Sequence, residues 1–303
     1  MSIDDSSGAC VSDIDWVDLS RRCAFESHRL VGWIFWDPTG IANYAALGVP
    51  NGVGYYIATR AAPLAAAGDG VVIATFGSIH PDFIHVSLDL CRQHTTWAAA
   101  AAARDAAVID GLRSAVPQIV DGLAELAEPL WLAADALSPA GRALFASHRD
   151  WPRPDDPLLS AWLAVNCIRE WRGDTHWAIQ IAEGLSMTAA GVLDNAWRNY
   201  EPGWLPRSRG ADDAAIDAAI DELTERGLAT DGAVNTAGVA YRQALEDRLD
   251  ELTVEPWQSL GAERTLGLLR LLEPVGDVLL ARVDATAGPN WMPAGRPRTD
   301  PSR

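Results

Sequence analysis

Residues 168 to 180 read "IREWRGDTHWAIQ". Arg169, Glu170, Arg172, Asp174 and His176 fall within eight residues, inside an apolar run from about Leu159 to Leu185. On a helix, Leu163, Asn166, Glu170, Asp174, Trp177, Ile181 and Leu185 share one strip, and Arg169, Arg172 and His176 a neighbouring one. A helix that is apolar on most sides is buried. Buried charges must then pair or face a wet cavity, because a lone charge in an apolar interior is strongly disfavoured. One reading is chemical: His176 as acid or base, Asp174 or Glu170 orienting it and Arg172 holding an anion. The other is an arginine–carboxylate network that orders a helical core. Both stay open on the sequence. Gly173, which costs about 1 kcal/mol in mid-helix relative to Ala, fits a place where a backbone or a ligand comes close.

The element that positions these groups is a long helix from about Pro157 to Gly184, begun after the "PRPDD" turn. Most of its neighbours also read as helices. "DLSRRCAFESHRLVGWIFW" has helical spacing and "DPTG" breaks it. "GDGVVIATFGSIHP" suits strand or helix by period, and its helical surroundings favour helix, with Pro81 opening the next one. The alanine run after Trp97 has the strongest helix propensity in the chain. Ser138 and Pro139 read as the cap and first residue of a further helix.

After a linker near residue 201 the pattern changes to helix, tight turn, short extended piece and helix. Ile216, Ile220 and Leu223 form the packing face, Gly227 ends the helix, Asp231-Gly232 makes the turn and Thr236 caps the next helix. This is the pattern of a winged helix, whose recognition helix would be about Asp212 to Arg226. That helix carries six acidic residues against Arg226. From Leu205 to Leu252 there are eleven acidic and five basic residues. A groove reader needs Arg or Lys on phosphates and base edges, so nucleic-acid binding is not expected.

Composition narrows the chemistry. The 303 residues carry a net charge of −17, and all 24 basic residues are Arg, so no lysine base or Schiff base is available. The acidic balance disfavours anionic membranes as well as nucleic acid. No apolar run reaches transmembrane length, and "MSIDDSSGACVSDIDW" lacks the apolar region of a secretory signal, so a cytoplasmic location is expected. Cys10, Cys23, Cys91 and Cys167 are scattered, without the paired spacing of a zinc or redox motif. His80 and His85 stand at an awkward spacing for one metal, and no metal or cofactor is expected. Thirteen Trp suit core filling or the walls of a flat pocket for an organic ligand. His28 and His85 read as packing residues on amphipathic helices.

"RAAPLA" (60–65), "FGSIHP" (76–81), "IREWRGDTHWA" (168–178) and the "RGL…DG…T-x-x-G" wing together resemble an actinobacterial family of SalK-like, helix-turn-helix proteins with a MarR-like winged helix. The resemblance runs from about Leu19 to Leu260. It departs at Trp171, where the family usually has His, and in "SRGADDAAI", which lacks the usual Trp after "RG". The family has no settled activity, so the resemblance supplies positions: it adds Arg60 and His80 to the candidates. A place in natural-product gene clusters, and hence tailoring chemistry, is what it implies.

The expected fold is mainly α. Residues 1–14 form a tail, 15–200 a helical domain with a pocket, 201–285 a winged-helix domain with a closing helix, and 286–303 a second tail. The expected function is a cofactor-free small-molecule tailoring enzyme doing acid–base or cyclisation chemistry on an anionic substrate. Its catalytic set is His176, Asp174 and Glu170, with Arg172, Arg60, His80 and Trp171 binding substrate. The alternatives are a ligand-responsive MarR-like regulator, or a non-catalytic partner of a biosynthetic enzyme; a homodimer fits any of them.

Overall fold

The computed structural model describes residues 14–298; the expected N-terminal tail lies almost wholly outside them. The fold is mainly α, and the only strands among the described residues are the two-residue pair Ala229–Thr230 and Ala233–Val234. Among the described residues no helix is long and apolar enough to cross a membrane.

The helix Pro157–Ala182 runs through the centre. Asp156 starts it, accepting a hydrogen bond from the Leu159 amide at 3.0 Å, with Pro157 in the first turn. Sixteen of its 26 residues are buried, because helices pack on nearly every side. Helices Val120–Glu125, Ala127–Asp135 and Ala143–Arg149 cover one flank, and Trp16–Gly32 and Thr236–Leu252 lie on others. The helix Trp16–Gly32 is capped by Asp15. Asp37 of "DPTG" does more than break a helix: it caps the next one, Pro38–Ala45.

The largest core joins Leu19, Trp33 and Leu130 to Trp162, Leu268 and Met292, so residues far apart in sequence share one interior. Within it Trp162 donates its indole N–H to the Leu30 carbonyl at 3.0 Å, pinning the central helix to Trp16–Gly32. A second core sits under the strand pair. There Leu223 of helix Asp213–Glu225 and Leu245 and Leu249 of Thr236–Leu252 meet Ala189 and Leu193. Ile216 and Ile220 are only partly buried beside it. Asp231 and Gly232, both at positive φ (54° and 79°), make the tight turn of the hairpin. Asn235, not Thr236, caps the helix after the hairpin, accepting from the Gly238 amide at 3.0 Å.

Two further expectations are corrected. Ser138 caps no helix; the next begins at Ala143 with Arg142 at its cap position, and Arg142 offers no side-chain acceptor. The segment after 286 is folded through residue 298. Met292 is 1% exposed, with its sulfur seated in the space that a Cβ on Gly32 would fill. Arg29 donates to the Gly295 carbonyl at 2.8 Å and Arg198 to the Pro293 carbonyl at 2.6 Å. Its Pro, Gly and Arg content suggested a tail, but two arginines from other helices satisfy its backbone and Met292 anchors it. Cys23, Cys91 and Cys167 are buried free thiols.

Candidate functional site

The central helix turns its charged middle toward a cavity of about 1130 Å³. Its walls come from Trp16–Gly32, Pro157–Ala182, Met187–Trp197, Thr236–Leu252 and the folded segment around Trp291. Eleven arginines and only four carboxylates line it, in a chain of net charge −17. Arg22, Arg207 and Arg296 pair outward at its rim, with Glu273, Asp213 and Asp284, and the inner arginines outnumber the four carboxylates. Seven of the thirteen Trp line it too.

Glu170 is the anchor of one end. Arg60 reaches it with two parallel hydrogen bonds, Nε to Oε1 at 2.8 Å and Nη2 to Oε2 at 2.6 Å. Arg169 adds a third at 2.7 Å. These guanidiniums hold the Glu170 carboxyl well below the usual carboxylate range despite complete burial. Arg60 also donates to the Tyr56 hydroxyl at 2.6 Å and lies over the Phe76 ring. Glu170 is therefore a fixed, ionised counter-ion rather than a proton donor.

Arg172 belongs to a second network. It donates to Thr253 at 2.6 Å, Asp250 at 2.7 Å and Glu246 at 2.9 Å. Glu246 accepts in turn from Arg242 at 2.7 Å, and Arg242 pairs with Asp194, which also accepts from Arg198 at 3.0 Å. His176 stands beside this chain of charges and packs edge-on against Trp177. Burial, aided by the nearby Arg242, pushes its imidazole down to about 4, so it is neutral near pH 7. A neutral imidazole has a ring nitrogen free to accept, although so low a value makes it a weak base near pH 7.

The residues expected to act together are not all brought together. His176, Glu170, Arg172, Arg60 and Trp171 line the cavity. Asp174 does not. Its carboxylate accepts from the Phe145 amide at 2.9 Å and supplies the cap that helix Ala143–Arg149 lacks. Burial raises it to about 6. It therefore does not orient His176. His80 is also outside the cavity: it is exposed and caps the helix Pro81–His94, its Nδ1 accepting from the Asp82 amide at 3.2 Å. Trp171 is 2% exposed, sandwiched under Arg142 with its indole donating to the Ser138 carbonyl, so little of its ring is free to stack on a ligand. At Gly173 a Cβ would meet only Glu170 Oε2, at 3.6 Å, so no backbone crowds it; the open space is the cavity.

Besides the Asp194, Arg198, Arg242, Glu246 and Asp250 network, two cavity residues escaped the sequence reading. His28 lines the cavity from Trp16–Gly32. Burial, together with the guanidiniums of Arg169, Arg198 and Arg60, holds it neutral, well below the ordinary histidine value. Arg209 lines the cavity after the short helix Trp204–Ser208, and its guanidinium has no hydrogen-bond or ion-pair partner among the described residues. The signal for His28 was its strip, Arg21, Phe25, His28 and Gly32, where polar and small residues interrupt an inward face. Arg209 gave no signal beyond a basic pair in a linker.

An aromatic wall completes the site. Trp36 stacks with Tyr56 at 6.2 Å between ring centres, and Trp291 bridges Trp36 to Trp204 at 5.9 and 5.6 Å. All four rings line the cavity. An aromatic wall meeting a cluster of fixed guanidiniums is suited to an organic anion. The helix, two-strand turn and helix near the C-terminal side bear on kinship. The chain belongs to the Helix-turn-helix family. The family model matches residues 20–286, and so covers the strand pair and the helical walls of the cavity but not the wall residues from Trp291 onward. No curated protein and no solved structure matches the chain.

Proposed function

We propose that the protein is a small-molecule enzyme that binds an organic anion in the arginine- and tryptophan-lined cavity and carries out cofactor-free acid–base chemistry on it. The observation that carries this is the inversion of charge: eleven arginines against four carboxylates around one cavity of a strongly acidic chain. His176 takes a proton from the bound substrate onto its neutral imidazole and returns it to the product. Arg172 and Arg60 act through the networks they hold rigid, which keeps the cavity's dipoles oriented before the substrate arrives. The SalK-like resemblance adds a setting, tailoring chemistry in actinobacterial specialised metabolism.

The test is a native mass spectrum of wild type and His176→Gln after incubation with an extract rich in aromatic and carboxylic metabolites, with the extract followed by chromatography. Wild type should retain and convert one component, and His176→Gln should retain it unconverted. Absence of any retained anion from wild type sinks the reading. Equal conversion by both proteins removes His176 from the chemistry.

A second reading has one observation in its favour, the membership in the Helix-turn-helix family. The same cavity would then sense a ligand and the helix–turn–helix region would answer it. The acidic face of Asp213–Glu225 weighs against direct DNA contact: Asp213, Asp217, Asp221 and Glu225 are all exposed there.

A further inference from the structure

We infer that the Arg209 end of the cavity is a subsite for a doubly charged head, a phosphate monoester on a flat aromatic body. This deepens the reading of the cavity as an organic-anion site and rests on it. Six guanidiniums surround the cavity floor: Arg60, Arg169, Arg172, Arg198, Arg209 and Arg242. They face four carboxylates, Glu170, Asp194, Glu246 and Asp250. Every one of these carboxylates is already engaged by arginine at 3.0 Å or less. Among these ten groups the arginines exceed the carboxylates by two, and a partly buried surplus of that size favours a dianion.

The surplus has a location. Arg209 pairs with nothing among the described residues, yet it sits within electrostatic reach of Asp194, Arg198 and Tyr56. Arg60 and Arg169 share the single Glu170, and Arg169 Nε is buried without a partner. On the other side Arg242 Nη1 is likewise buried and unpartnered. His28 is a further polar group facing the same guanidiniums, and it offers a ring N–H to an oxygen. A tetrahedral head with three anionic oxygens can use several N–H donors from different directions at once, whereas a planar carboxylate satisfies only one fork well.

The body follows from the wall. Tyr56 joins both features: its ring stacks with Trp36 and its hydroxyl accepts from Arg60. Trp291, tilted 48° to Trp36, and Trp204, edge-on to Trp291, continue the wall around the body. A ligand seated with its head at Arg209 and Arg60 therefore lays its body along this surface.

The experiment is calorimetric titration of the full chain with four probes: phenyl phosphate, benzoate, benzyl alcohol and inorganic phosphate. It is repeated on Arg209→Ala and on Arg153→Ala, a distant surface control, with circular dichroism verifying the fold. Wild type and the control should bind phenyl phosphate about tenfold or more tighter than benzoate or inorganic phosphate, the gain expected from a second charge-assisted contact set. Arg209→Ala should lose most of that preference; Arg209→Gln serves if the alanine variant does not fold. Equal affinity for benzoate and phenyl phosphate overturns the dianion subsite and leaves the organic-anion reading intact. Equal affinity for benzyl alcohol removes both. Inorganic phosphate binding as tightly as the ester shows that the wall takes no part, and a preference unchanged in Arg209→Ala places the head elsewhere; either result overturns the inference.

Discussion

Arg60 and Glu170 meet in a two-pronged ion pair across 110 residues of sequence, with 2.8 and 2.6 Å between donor and acceptor atoms. Glu170 is 1% exposed on its side chain and Arg60 13%. This pair ties the helix Tyr55–Ala61 to the central helix and sets one end of the cavity. Removing the carboxylate leaves two guanidiniums, Arg60 and Arg169, buried without their counter-ion. Glu170→Ala should therefore cost about 3–5 kcal/mol, the usual loss when one partner of a buried pair is deleted. Glu170→Gln, which keeps the shape and one acceptor, should cost less. Urea unfolding of the two variants checks the order; equal, small losses would mean that the pair is replaceable by water.

Asp174 is given a different job from its helical neighbours. As the cap of Ala143–Arg149 it should matter to stability and not to the cavity. Asp174→Ala should lose about 1–2 kcal/mol, whereas Asp174→Asn should lose less, because its amide oxygen still accepts from the Phe145 amide. Both should bind cavity ligands as wild type does. A large loss of binding in Asp174→Asn, with the fold intact, would return Asp174 to the site.

Acid should weaken the fold through its neutral histidines. His148 Nε2 lies 2.9 Å from the Arg60 carbonyl, which can only accept, so this nitrogen carries the proton. Nδ1 is then left to accept from the Asn166 amide at 3.3 Å. Burial pushes His148 down to about 4. A histidine whose folded value lies below its unfolded value adds stability that is complete above about pH 6.5 and is lost as pH falls toward 4. The loss is on the order of 3 kcal/mol for this group. Glu26 and Asp174, raised by burial to about 7 and about 6, act in the opposite direction over the same range. They are common to wild type and His148→Gln, so they cancel in the comparison. The melting temperature of His148→Gln should fall less than that of wild type between pH 6.5 and 4. Parallel curves would show that His148 ionises freely in the fold.

The hairpin region should not bind duplex DNA in its own right. Helix Asp213–Glu225 presents carboxylates outward, and the flanking Arg207 and Arg226 are held by Asp213 and Glu222. Fluorescence anisotropy of random and operator-like duplexes should show no binding at about 0.15 M salt, where surface fields are screened within about 8 Å. Tight, salt-dependent binding would favour the regulator.

The central helix was legible because its start followed the turn before Pro157 and its length was set by an apolar run whose charges keep helical spacing. The hairpin was legible in Gly227 and Asp231-Gly232, whose backbone conformations few other residues adopt. The site was only partly legible. Helical spacing says which residues share a strip and not what packs on that strip. So Glu170 and Asp174, four residues apart, looked like one pair, yet one faces arginines and the other a helix end that has no cap of its own. His28 looked like packing because its cavity neighbours Arg169 and Arg198 are over a hundred residues away. The segment around Trp291 looked like a tail because its partners, Arg29, Arg198 and Gln243, lie 266, 95 and 55 residues away.

The most direct measurement is the crystal structure of the protein soaked with 1-naphthyl phosphate. The account predicts density for the ring system along Trp36, Tyr56 and Trp291, with the head among Arg209, Arg60 and His28. An empty cavity under saturating ligand, or the ligand bound only on the outer surface, would contradict it.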